Sequence, residues 1–280
     1  MITLKSGDWR CALRPEVGGA IGALQLRGID VLRPTPDGVS DALETACFAL
    51  VPYCNRIRDG RFSFGDEAVQ LSPNLLPQPH SLHGLGWRLA WTVEAYDESS
   101  ALLVHEHDGQ SEWPWAYRAE QRIALDPQGL DITLKLINHS DRAMPAGLGL
   151  HPYFRRTANT RVRFTAGALI ESDSELLPTG RELAADSLAP WSAGTSLPDS
   201  LVDHCHARWT GSAWIDDELG SITMSASNAP HLHVYAPPGG TPLCLEPVSH
   251  LPDALNLNPA EMAMLQPGEA VSLTMRIEAS

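Results

Sequence analysis

Apolar and polar residues alternate with a period of two along much of this 280-residue chain. Leu130, Ile132, Leu134 and Leu136 alternate with Asp131, Thr133 and Lys135, which puts the apolar side chains on one face of a half-buried strand. Asp126-Pro127-Gln128-Gly129 precedes them as a reversal, following a strand that ends near Leu125. Near the carboxyl end, Val271, Leu273, Met275 and Ile277 alternate with Ser272, Thr274, Arg276 and Glu278, entered through the turn Gln266-Pro267-Gly268-Glu269. Residues 101–107 predict a strand stopping at Asp108-Gly109. Residues 20–26 alternate loosely among glycines that suggest bulges or close backbone approach. Nowhere does a long 3.6-residue apolar period occur; residues 40–50 and 253–257 are expected to hold a helical turn or two. Strands punctuated by Gly, Pro and Asp turns predict an all-β fold, a large antiparallel β-sandwich. With no Ser/Gly linker and no shift of composition, residues 1–280 read as a single domain. The Ala-, Ser- and Pro-rich residues 179–198 are expected to form a surface excursion.

Charge narrows the partners. Twenty basic against 34 acidic side chains give a formal charge of −14, which disfavours nucleic acid and anionic membrane and suits a neutral small ligand. The five cysteines (Cys11, Cys47, Cys54, Cys205, Cys244) are scattered, odd in number and never spaced C-x-x-C. That pattern fits reduced thiols better than a disulfide framework or a zinc knuckle. No signal peptide and no bilayer-spanning run is visible, so a cytoplasmic location is expected.

Candidate chemistry centres on Gly147-Leu148-Gly149-Leu150-His151-Pro152-Tyr153-Phe154. As a strand, it places Leu148 and Leu150 in a core and Gly147, Gly149 and His151 on the opposite face, with bare backbone where a flat ligand can lie. Pro152 keeps His151 extended. Four further clusters carry polar groups. In Asn55-Arg56-Ile57-Arg58, an arginine beside an asparagine suits ligand hydroxyls. Ser81-Leu82-His83-Gly84-Leu85-Gly86-Trp87 sets a histidine at a tight turn, with Trp87 as a platform for the apolar face of a sugar. Asp203-His204 follows two apolar residues, and Leu243-Cys244-Leu245-Glu246-Pro247 holds a carboxylate inside an apolar strand, which is costly unless it is satisfied or used. For each residue a bland reading competes: a buried structural histidine or glutamate, a solvated arginine, a core tryptophan. His105/His107, His204/His206 and His231/His233 form three His-x-His pairs, the spacing of metal ligands on a strand. None is followed by the usual carboxylate, and the first pair is expected to be solvent-exposed beside a hairpin turn.

Taken in order, the clusters resemble the aldose 1-epimerase (galactose mutarotase) family. The resemblance rests on Asn55-Arg56-Ile57 with Gly60 and Phe62, on Leu82-His83-Gly84, and on Trp113-Pro114-Trp115-Ala116-Tyr117. It continues through Asn138-His139-Ser140, Met144-Pro145-Ala146-Gly147 leading into His151-Pro152-Tyr153-Phe154, Asp203, Glu246-Pro247, and Pro252-Asp253-Ala254 with Asn256. It implies a galactose mutarotase-like supersandwich that interconverts the α and β anomers of a free aldose without a metal or organic cofactor. Glu246 then matches the general base, His151 the general acid and His83 a second active-site histidine, while Arg56 and Asp203 match residues that hold sugar hydroxyls. Asn55 and Trp87 are added as substrate contacts. A small-molecule monosaccharide is the implied partner, and a homodimer remains open. Arg58, Arg61, Arg88, Arg155 and Arg156 raise the alternative of a hexose-6-phosphate mutarotase; a non-catalytic carbohydrate-binding sandwich is another.

Overall fold

The computed structural model describes residues 1–110, 112–240 and 242–280. Among them, two large antiparallel sheets of eleven and nine strands dominate. In the nine-stranded sheet Gly129–Asn138 lies between Ala116–Leu125 and Ala270–Ala279, the strands that the alternation at both places predicts. Ser100–Asp108 pairs with Ala116–Leu125. In the eleven-stranded sheet, Ala20–Leu26 pairs with Trp9–Arg14, and the register slips by one residue at Gly22, between Ala12↔Ala23 and Leu13↔Ile21. That is the bulge its glycines suggest.

The central strands of the larger sheet are buried on both faces. On one face Leu148, Leu150, Leu232, Val234, Leu243 and Leu245 enter an extended apolar cluster, joined from the other sheet by Leu103, Ile132, Leu134 and Leu273. Each fully buried leucine contributes roughly 2 kcal/mol of transfer free energy. The opposite face carries a second, smaller cluster that includes Phe48, Leu50, Tyr153, Cys205, Cys244 and Val248. Every residue of Cys47–Leu50, Gly149–Phe154 and Leu243–Val248 is buried in consequence. Polar side chains on the second face therefore stand in a desolvated setting, which is what gives them shifted protonation.

Several expectations are refined. Residues 40–50 hold a single 3₁₀ turn, Ala42–Glu44, capped by Asp41, whose side chain accepts from Leu43 N, and then turn into a strand. Ala254–Leu257 is helical as expected. Residues 179–198 are not merely a surface excursion, because Trp191 is fully buried and stacks on Phe164 at 5.3 Å between ring centroids. All five cysteines are free and buried. Among the described residues no helix is long and apolar enough to cross a membrane.

Candidate active site

Cross-strand register assembles the site on the second face of the larger sheet. His151 lies opposite Phe48, and His233 pairs with Glu246 on one side and Cys205 on the other. Between Gly149–Phe154 and Leu243–Val248, the pairs Gly149↔Val248 and Tyr153↔Cys244 bracket His151 and Glu246. Phe48, His151, Glu246, His233 and Cys205 thus form one row across five strands. Two residues along, Tyr153, Cys244, Tyr235 and Asp203 form a second row, with Arg33 at its end through Arg33 N–H donating to Tyr153 O (2.8 Å). Alternate residues of a strand share a face, so both rows open into one cavity of about 520 Å³, within the usual size of a small-ligand site.

Loops close the other side. Asn55 and His83 both hold positive φ, 57° and 58°, a region that Asn and His tolerate better than most residues. They lock one another: Asn55 N–H donates to His83 Nδ1 (3.0 Å) and His83 N–H donates to Asn55 O (2.9 Å). The next residue has to be glycine, because a Cβ on Gly84 would stand 2.1 Å from Val51 O. Asn55 Oδ1 accepts from Arg56 N (2.8 Å), while Arg56 Nε donates to Gln78 Oε1 (3.0 Å) and Nη2 lies 3.8 Å from Asp203. Asp253 braces this segment: its N–H donates to Arg56 O and its Oδ1 accepts from Arg58 N.

His151 Nε2 and Glu246 Oε1 are 3.2 Å apart, with the two residues only 6% and 2% exposed. Among the described residues, His151 Nδ1 and Glu246 Oε2 have no hydrogen-bond partner. Buried polar atoms are nearly always paired, so two unpaired atoms on adjoining side chains mark a costly, strained arrangement beside the cavity that both residues line. Burial pushes Glu246 up to about 8, against the pull of the His233 charge. Burial pulls His151 down to about 3, and the positive charge of His233 adds to this. Between those values the pair holds a single proton, and its two macroscopic steps belong to the pair rather than to either residue. His83 is lowered well below the usual imidazole range, first by burial and then by the charges of His151 and Arg56.

A neighbour missed by sequence reasoning is His233. Its Nε2–H donates to Asp203 Oδ1 at 2.7 Å. Burial alone would lower it, but Asp203, Cys205 and Glu246 outweigh that and push it up to about 10. Asp203 in turn sits below the usual carboxylate range: burial raises it, and the His233 bond and the Arg56 charge overcome the rise. The sequence offered only a His-x-His spacing here; the Asp203–His233 pairing crosses 30 positions and carries no local signature.

Of the residues singled out from the sequence, Asn55, Arg56, His83, His151, Asp203 and Glu246 line this cavity. Trp87 does not, which corrects its reading as a sugar platform. It packs behind Phe48 (6.0 Å), which itself stacks on His151 (4.6 Å), and Trp87 Nε1–H donates to Leu82 O. The strand begins at Gly149 rather than Gly147, and neither glycine leaves bare backbone for a ligand: a Cβ on Gly147 would collide with the His250 ring, and one on Gly149 would meet Cys54, Val248 and Leu50. The His-x-His pairs disperse. His105 is buried rather than exposed, 3.2 Å from Tyr117 Oη; His206 packs edge-on against Phe164 and Trp191; His231 faces Glu261. The arginines that suggested a phosphate are engaged elsewhere. Arg155 pairs with Asp217 (3.0 Å), Arg58 with Asp173 (3.5 Å), Arg156 donates to Pro237 O, Arg61 to Gln70, and Arg88 lies over Trp87.

One atom each of His83, His151 and Glu246 fall within 4.8 Å of one another, a spacing that a metal ion would accept. The donor set does not fit. Because His83 Nδ1 accepts the Asn55 N–H, a neutral His83 must carry its proton on Nε2, so neither ring nitrogen offers a free lone pair. His83 is a hydrogen-bond donor.

Comparison with known proteins agrees with this architecture. The family model described as aldose 1-epimerase matches residues 1–278. The uncharacterised protein YphB of Escherichia coli K12 is 30% identical over an alignment of 298 positions, covering 99% of this chain and 98% of that protein. A crystal structure from Escherichia coli K12, provisionally designated an aldose 1-epimerase, superposes with a TM-score of 0.92 at 28% identity, over 99% of this chain and 98% of that one. A galactose mutarotase-like protein from Clostridium acetobutylicum shares the fold at a TM-score of 0.88 and 20% identity, covering 99% and 94% of the two chains. With a family match along nearly its whole length and a full-length relative of the same extent, this chain belongs to the aldose 1-epimerase family.

Proposed function

We propose that the protein is a mutarotase that interconverts the α and β anomers of an aldose, with Glu246 and His151 as the proton-transfer pair. The observation that supports this most is the 3.2 Å approach of His151 Nε2 to Glu246 Oε1 at the floor of a sugar-sized cavity. Anomer exchange needs one group to take the proton of the anomeric hydroxyl while another protonates the ring oxygen. A pair sharing one proton can do both. The resting pair carries its proton on Glu246. Transfer across the 3.2 Å contact to His151 Nε2 gives the reacting form. In it the Glu246 carboxylate removes the O1 proton, His151 delivers its own to O5, and the C1–O5 bond breaks to give the free aldehyde. Rotation about C1–C2 presents the other carbonyl face; the hydroxyl then adds back, and the same two protons return to their starting groups. No atom or electron is left over, so no redox partner is called for.

The remaining residues hold the ring. In this reading Arg56, Asn55 and Asp203, which line the cavity, grip hydroxyls away from C1, and the His83 Nε2–H supplies a neutral donor beside the reacting atoms. Asp203 stays ionised because His233 and Arg56 flank it. Polarimetry or saturation-transfer NMR on freshly dissolved single anomers tests the reading. Glu246→Gln and His151→Ala should each lower turnover by about 10²–10⁴-fold. Saturable sugar binding with no faster anomer exchange in the wild type would instead make this a carbohydrate-binding sandwich without catalysis.

A further inference from the structure

Cavity-lining cations are not all neutralised. Arg56 lies 3.8 Å from Asp203, but Arg33, at the opposite end of the second row, has no carboxylate within ion-pair distance among the described residues. Instead its Nε–H donates to Thr45 O (2.9 Å), Nη2–H donates to Leu43 O, and the guanidinium lies 3.5 Å above the centre of the Tyr153 ring. Two carbonyls and a stacking face fix the plane of the fork, yet Nη1 and the second Nη2 hydrogen have no acceptor among the described residues, and Arg33 lines the cavity. A guanidinium held rigid with donors to spare loses little further entropy on binding an anion, which is the preorganised form of carboxylate or phosphate recognition.

Its position indicates which end of a sugar it meets. Tyr153 carries Arg33 on one side and lies 4.6 Å from the His151 ring, so Arg33 is one ring removed from the acid that faces O5. C5 is bonded to O5 and bears C6, so the exocyclic carbon leaves the ring on the His151 side. With His151 at O5 as proposed above, the C2 to C4 hydroxyls point the other way, toward Asp203, Arg56 and Asn55. We infer that Arg33, stacked on Tyr153, forms an anion subsite at the C6 end of the cavity and that the preferred substrate is an aldose bearing a carboxylate or phosphate there. This rests on the catalytic reading above for the direction of the ring. It also differs from the phosphate site suggested by the sequence, whose arginines are engaged elsewhere.

Two measurements test it separately. Isothermal titration of 1,5-anhydroglucitol 6-phosphate against 1,5-anhydroglucitol, neither of which can open, reports binding alone. The phosphorylated compound should bind at least tenfold more tightly to the wild type, and Arg33→Gln should erase most of that preference. In parallel, anomer exchange is followed for glucose, glucose 6-phosphate and glucuronate and for the matching galactose series. The ratio of kcat/KM for anionic over neutral sugar should fall about 10–100-fold in Arg33→Gln, the range expected for a lost charge-assisted pair, and less in Arg33→Lys, which keeps the charge. Whichever anion shows the larger Arg33 dependence is the preferred group. A wild-type ratio at or below one, or a parallel loss for neutral and anionic sugars such as a purely structural clamp on Leu43 and Thr45 would give, overturns the inference. Arg33-dependent binding of the anhydro phosphate with no turnover of any sugar would leave the subsite standing and remove the catalytic reading instead.

Discussion

Replacing Glu246 by glutamine should stabilise the fold at alkaline pH while lowering turnover. Burial raises the Glu246 carboxyl from its ordinary 4.5 to about 8, so the folded chain holds a proton there that the unfolded chain has released. Wherever the folded state binds more protons, stability falls as pH rises. The contribution of this proton is fully present below about 4.5 and is lost as pH climbs through about 8. At about 1.4 kcal/mol for each tenfold change in the proton equilibrium, the displacement corresponds to at most on the order of 5 kcal/mol. Rotation of the carboxylate toward the cavity and entry of water relieve part of that, leaving an expected effect of about 2–4 kcal/mol. Glutamine has nearly the shape of the protonated acid and no proton to lose. Urea unfolding of wild type and Glu246→Gln at pH 5 and pH 8.5 gives the answer as a double difference, in which the titrating groups not coupled to Glu246 cancel. The variant should gain about 2–4 kcal/mol relative to wild type between the two pH values. A double difference below about 0.5 kcal/mol would show that Glu246 is not held protonated by its surroundings, and the account of the shared proton would fall with it.

Four further outcomes follow from the same geometry. The wild-type kcat/KM should be flat from about pH 5 to 7 and decline above about 8 as the Glu246/His151 pair loses its last proton; a rate that climbs through pH 8 contradicts the one-proton pair. Gly84→Ala forces a Cβ to 2.1 Å from Val51 O at a φ of +67° and should cost about 2–4 kcal/mol in chemical denaturation, whereas a loss under 1 kcal/mol would mean that the turn relaxes freely. His233→Leu leaves Asp203 without its imidazole donor and should reduce kcat/KM ten- to a hundredfold. His233→Gln keeps a donor and should lose less than tenfold, so equal losses would contradict this role. Exhaustive dialysis against EDTA should leave turnover unchanged, because His83 has no free lone pair for a cation; activity lost to the chelator and restored by zinc would reverse that assignment.

Local patterning carried the all-β class, the strands at 129–138 and 270–279, the bulged strand at 20–26 and the division of Leu148 and Leu150 from His151. Each depends on a period of two or on turn residues adjacent in the chain, and the structure follows them. The ordered motifs also pointed to six cavity-lining residues, helped by local marks: an asparagine beside an arginine at 55–56, a histidine at a tight turn before Gly84, and a carboxylate inside an apolar strand at Glu246. Tertiary structure alone decided what those groups do to one another. The Asp203–His233 bond, the approach of His151 to Glu246 and the seating of Arg33 on Tyr153 join positions 30 to 120 residues apart, and strand register sets each of them. Tertiary packing of loops likewise put Trp87, on the turn Gly86–Arg88, behind Phe48 and set Gly147 against His250 and Gly149 against Cys54 rather than a ligand. Alternation tells which side of a strand a residue occupies; only the pairing of strands tells which residue stands opposite, and the protonation of this site depends on who stands opposite.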